Sequence, residues 1–176
     1  MTKRTYIDQG AIFNEPERTH RFSLWRQWGD LRPRFGTVLW VMLNPSTADE
    51  KVLDPTIRRC EDYSKAWGFG GLVVCNLFAY RATKPKNLKR AARAGVDVVG
   101  PGNDDAIRER VQQADLVVAA WGVPGALNGR GTEVLAYLVD EAGEKLCHLG
   151  RNADLSPRHP LMLLKTLKPI PWARVE

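Results

Sequence analysis

The feature that most restricts this chain is a pattern that occurs four times: a short apolar run, too brief to span a bilayer, stopped abruptly by an amide or a glycine. The first run is Thr37-Val38-Leu39-Trp40-Val41-Met42-Leu43, cut off at Asn44-Pro45. Pro45 has no N–H for a strand ladder and biases Asn44 towards extended backbone, so the strand ends there. Leu72–Cys75 delivers Asn76, Leu116–Ala120 delivers Trp121-Gly122, and Lys145–Leu149 delivers Gly150. Such mostly apolar runs read as strands buried on both faces, the mark of a parallel sheet covered by helices.

Helical segments fill the intervals. Asp54-Pro55 is a cap followed by a first-turn proline, and Ile57, Cys60 and Ala66 with Tyr63 or Trp67 give that helix an inward face ended by Gly68, Gly70 and Gly71. Pro85–Ala94 is short and very basic, Asn103 is placed to cap a third helix, and Val134, Leu135, Leu138 and Val139 mark a fourth. Gly125, Gly129 and Gly131 suggest a flexible loop around Arg130. Gly10 to Trp28 reads as an antiparallel hairpin, and Leu161–Leu167 after Pro160 as an apolar tail helix. The expected architecture is α/β: a single domain over residues 1–176, a three-layer sandwich around a mainly parallel four-stranded sheet, with the hairpin added.

A chain with 44% hydrophobic and 26% charged residues is ordinary for a globular protein. With no signal-type segment after Met1, it is expected in the cytoplasm and not in a membrane. Cys60, Cys75 and Cys147 are widely spaced and form no CxxC pair, so buried thiols are expected rather than a metal site or disulfides. No cofactor motif is present: Gly100-Pro101-Gly102 is not a dinucleotide fingerprint, and the Ser46-Thr47 loop lacks P-loop glycines. The net charge of +6 makes a polyanionic partner plausible.

If the four strands are parallel, their loops gather at one carboxyl edge, where open α/β sheets bind ligands. Asn44, Pro45, Ser46, Thr47, Asn76, Trp121 and Gly122 would meet there, joined by His159 if the tail returns. Amides match the edge of a nucleobase, because each offers a donor and an acceptor. Phe78, Tyr80 or Trp121 could stack on the ring, while Arg81, Arg130, Arg158 and the basic helix could hold phosphates. Plainer roles are open for each: a strand-ending Asn also makes turns, Asp54 reads as a cap rather than a base, and a Lys/Arg helix is also a solvated face.

The motifs Leu43-Asn44-Pro45-Ser46-Thr47-Ala48-Asp49, Asp54-Pro55-Thr56, Asn76 to Thr83, Ala120-Trp121-Gly122 and Pro157-Arg158-His159-Pro160-Leu161 resemble the bacterial and phage domain-of-unknown-function family 1643. Their order is also similar to that of the uracil-DNA glycosylase superfamily. That second resemblance implies a uracil-DNA-glycosylase-like fold and N-glycosidic bond hydrolysis on a flipped or modified base. It implies that Asn44 positions water, Asn76 reads the base edge and His159 offsets charge on the departing base; Asp49 or Asp54 is the candidate assisting base. A nucleic acid or nucleotide is the partner implied. Two other functions fit the same rim: a non-catalytic nucleic-acid or nucleotide-binding module, and an enzyme acting on free nucleosides or nucleotides.

Overall fold

A computed structural model describes residues 5–29, 36–46 and 54–172. The elements are β1 (Asp8–Phe13), β2 (Arg21–Gln27), β3 (Thr37–Met42), α1 (Pro55–Ala66), β4 (Gly71–Asn76), α2 (Pro85–Arg93), α3 (Asn103–Gln113), β5 (Leu116–Ala119), α4 (Arg130–Ala142), β6 (Leu146–His148) and β7 (Ile170–Pro171). They build one seven-stranded sheet in the order β1-β2-β4-β3-β5-β6-β7. The four apolar runs of the sequence are its parallel centre, with Trp40 level with Val74 on one side and with Val118 on the other.

The sheet is larger than the four strands expected. The N-terminal hairpin does not stand apart, because β2 pairs antiparallel with β4, Leu24 opposite Val74. At the other edge β7 pairs antiparallel with β6. So short a strand ending in proline carries almost no sequence signal, since Pro171 cannot donate to a ladder.

Alternation along β3 sorts the core into two layers. Val38, Trp40 and Met42 pack with Ile57, Cys60 and Tyr63 of α1. Leu39 and Val41 pack with Leu88 of α2, Ile107 and Val111 of α3, and Val134 and Leu138 of α4. Fully burying such side chains contributes roughly 1.5–3 kcal/mol each. Asp54 caps α1 as read, its Oδ1 accepting from the Ile57 N–H at 2.8 Å. Cys60, Cys75 and Cys147 are free and buried.

Three local readings are corrected. Asn103 does not cap α3; Gly102 takes that position at φ 77°, and the Asn103 side chain turns back to β4. The glycine loop is not slack, because Val123–Gly129 carries 3₁₀ turns broken by a kink at Leu127 and Asn128, the Trp121 indole fills the space a Cβ at Gly125 would occupy, and Gly125 O with that indole crowds Gly131. The tail is a single 3₁₀ turn, Pro160–Met162, not a helix. Its carbonyls bond instead to a row on α1: Arg59 Nη1 donates to Leu163 O at 3.3 Å, Tyr63 Oη to Leu164 O at 2.6 Å and Trp67 Nε1 to Leu167 O at 3.0 Å. Spacing of i, i+4, i+8 aligns those donors on one helix face.

Candidate functional site

The loops that leave the carboxyl ends of the parallel strands enclose a cavity of about 650 Å³, within the range of small-molecule sites. Met42 and Asn76 meet at its base because β3 and β4 are in register there. Asn44 and Ser46 form one wall, Trp121 and Gly122 another, and Arg158 and His159 close a third. The tail reaches this rim because Gly122 N–H donates to Pro157 O at 2.9 Å and Arg158 N–H to Gly150 O at 2.9 Å.

Each polar group has a defined state. Asn44 Nδ2 donates to Pro45 O at 2.9 Å and Ala82 O at 2.7 Å. Its Oδ1 then has no partner among the described residues and is what the side chain offers the cavity. Asn76 is 1% exposed, and its Nδ2 is buried without a hydrogen-bond partner. Leaving a buried amide donor unpaired costs roughly 1–3 kcal/mol, so such a group demands a reason. His159 Nδ1 accepts from the Leu161 N–H at 3.4 Å, which puts the proton of the neutral ring on Nε2. Burial lowers the His159 pKa and the Asp54 charge only partly opposes this, so the ring is a neutral donor at pH 7.

Asp54 acts as architecture. Its Oδ1 caps α1 and its Oδ2 accepts from Ser46 Oγ at 2.8 Å, tying the first loop to the helix. Arg21 is a cavity residue that the sequence reading missed. It is 1% exposed, and burial lowers its pKa to about 10 against the opposing pull of Asp54, so it keeps its charge. A cation beside a strand of alternating apolar residues reads as solvent-facing; its burial becomes visible only when β2 is seen pairing with β4. Cys75 beside Asn76 belongs to the opposite layer, and burial pushes its thiol up to about 12.

Several expected contacts are corrected. Arg130 is not a phosphate ligand at the rim. It is 3% exposed, with Nε donating to Leu77 O at 3.0 Å and its guanidinium paired with Asp104 and Glu133. Arg81 lies outside the cavity, where Nη1 donates to Arg18 O at 3.0 Å and the guanidinium sits over Phe13. Phe78 is buried in the α3–α4 layer and cannot stack on a ligand. Tyr80 packs edge-on against His20. Trp121 lines the cavity, but its indole is committed to Gly125 and Gly131. Pro45 shapes the loop through its carbonyl, which accepts from Ala82 N–H at 2.9 Å. Thr47 and Asp49 lie outside the described residues.

Among the described residues no group of three or more His, Cys, Asp and Glu side chains is placed to hold a metal ion, and no helix is long and apolar enough to cross a membrane. A family model described as protein of unknown function (DUF1643) matches residues 21–161. No curated protein and no solved structure matches the chain. The matched span runs from Arg21 to two residues past His159, so it takes in every polar side chain of the cavity described above.

Proposed function

The chain belongs to the DUF1643 family of proteins of unknown function, and we propose that its cavity recognises a nucleobase and hydrolyses the bond joining that base to its sugar. The observation that carries the reading is the buried, unpartnered Nδ2 of Asn76 in a cavity it shares with Asn44 and His159. A planar base with a carbonyl on its edge satisfies that donor, and the Oδ1 of the same amide can accept from a ring N–H.

The remaining groups suit departure of the base as an anion. His159 Nε2–H donates to an oxygen on which negative charge grows, and a neutral imidazole does so without first giving up its proton. Arg21 adds positive charge to the same cavity. As the C–N bond breaks, its electron pair goes to the base; a water held by Asn44 Oδ1 attacks the sugar carbon, and the water's proton ends on the base. A base within duplex must first be flipped out, at about a few kcal/mol. Met162, 90% exposed on the turn after His159, offers an apolar side chain at the mouth where a strand would arrive. The motif order that resembles uracil-DNA glycosylases supports the same reading and a related fold.

A second reading is favoured by one feature. Asn44 is an amide and cannot take a proton from water, so the cavity suits binding without turnover, of nucleic acid or of free nucleotides. Incubation with oligonucleotides carrying uracil, mismatched or modified bases decides. Hydrolysis predicts abasic product that is lost in Asn76→Leu and His159→Gln. No product across the panel at stoichiometric protein, with binding that still depends on Asn76, leaves a recognition module.

A further inference from the structure

The rim residue Pro85 begins α2, and this helix carries a charge pattern the cavity does not use. Lys86, Lys89, Arg90 and Arg93 stand at i, i+3, i+4 and i+7, which aligns them in one stripe on one face, with Lys84 at the entrance. All are exposed, and none has an ion-pair partner among the described residues. The opposite face is spent on the core: Leu88 is 1% exposed, and Ala91 and Ala92 pack beside it. No Asp or Glu occurs between Asp62 and Asp97, whereas the exposed faces of α3 and α4 carry Asp105, Glu109, Glu133 and Asp140. Like charges at i, i+4 repel, so an isolated helix gains nothing from this arrangement.

The position of the stripe gives it meaning. On one side, a groove of about 490 Å³ is lined by Lys86 and Lys89 and shares Pro85, Val123 and Pro124 with the main cavity. On the other, a groove lined by Arg81 and Arg90 shares Ala82 and Thr83 with it. Both therefore open onto the cavity mouth, where the exposed Arg158 continues the positive rim.

We propose that the outer face of α2 is the track for the sugar–phosphate backbone of a polynucleotide, laid beside the cavity so that a base can enter while its neighbours' phosphates rest on the helix. The stripe is about 10 Å long at 1.5 Å per residue, enough for roughly two neighbouring phosphates of one strand. This inference rests on the nucleobase reading for its geometry and extends it: the substrate is a polymer, not a free nucleoside.

The test is binding of a labelled oligonucleotide, single-stranded and duplex, from about 50 to 200 mM salt. Lys86→Glu/Lys89→Glu should weaken binding about tenfold or more at low salt and lower the salt slope by roughly 1.4 on single strand or 1.8 on duplex. Arg110→Glu/Lys168→Glu makes the same change in net charge away from the rim, because Arg110 lines a cavity with Thr37 and Gly71 and Leu167 binds Trp67. It should leave the slope unchanged. Equal losses in the two variants, or an unchanged slope in the α2 variant, would overturn the track. So would α2-dependent binding to anionic phosphatidylserine vesicles with none to the oligonucleotide at the same salt. Asn76→Leu separates the two proposals: it should abolish base-dependent binding or turnover and keep the slope. Loss of the slope effect with Asn76-dependent base recognition intact sinks the track alone. The reverse sinks the base reading alone.

Discussion

The two sides of the β4 exit make opposite use of buried polar groups. Behind the strand, Asn103 Nδ2 donates to Asn76 O at 3.0 Å and Leu77 O at 3.2 Å. Arg130 Nε donates to the same Leu77 O, its guanidinium pairs with Asp104, and Tyr137 Oη donates to Asp104 Oδ1 at 3.1 Å. Asn103 Oδ1 is left over there, on a residue whose donor half is doubly used. In front, Asn76 lines the cavity with its Nδ2 buried and unpartnered, and Asn44 and His159 line the same cavity. One side is spent on fixing the backbone, and the other lines a cavity with a donor that no protein group satisfies. Stability and recognition should therefore separate by mutation.

The largest effect belongs to the back. Arg130→Met removes one of the two donors to Leu77 O and leaves Asp104 without its paired cation, and should cost about 3 kcal/mol in urea unfolding. Burial works to raise the Asp104 carboxyl, but hydrogen bonds and charge from Arg130 overcome it and hold it below its ordinary value of 3.8. A depressed carboxylate stabilises the fold above the unfolded-state pKa, and the contribution fades as pH falls through the folded-state value. The wild-type protein should lose stability in that acid window, and Arg130→Met should lose less across it.

Asn103→Leu comes next. It removes the side-chain donor to Asn76 O and one of the two donors to Leu77 O and should cost about 2 kcal/mol, read by the same unfolding curve. Asn76→Leu should behave in the opposite way. The residue is as deeply buried, yet its lost donor had no partner, so stability should stay within about 1 kcal/mol or rise. A large loss from Asn76→Leu would erase the distinction between the two sides.

The smallest effect is the pH dependence of His159. Burial lowers its folded-state pKa, so as pH falls through the ordinary value of 6.5 the unfolded chain takes up the proton first and stability declines. His159→Gln should flatten part of that decline in thermal melts between about pH 7 and 5. His148, lowered by burial and by Arg151, carries the rest with the same sign. The double variant should be flatter still.

What could be read in the sequence follows from range. Asn44 and Asn76 were legible as rim residues because an apolar run that stops at an amide is a local signal, and so was Asp54 as a cap. Arg130 was not: it follows glycines and looks like a loop cation, while its partner Asp104 is far upstream. Arg21 was hidden because strand alternation cannot say whether a neighbour will cover the polar face. The tail leucines have helical spacing, but a helix competes with donors on α1 that sequence spacing does not display. Phe78 looked like an edge aromatic and is core, because α3 and α4 close over it.

If the front of the β4 exit receives a base, side-chain amide NMR reads it most directly. On titration with nucleosides and with an oligonucleotide, the Asn76 Nδ2 proton signals should shift as their missing acceptor arrives. Those of Asn103, already bonded to two carbonyls, should stay in place. Asn76 signals that stay fixed through saturation, or that move only together with those of Asn103, would contradict the account.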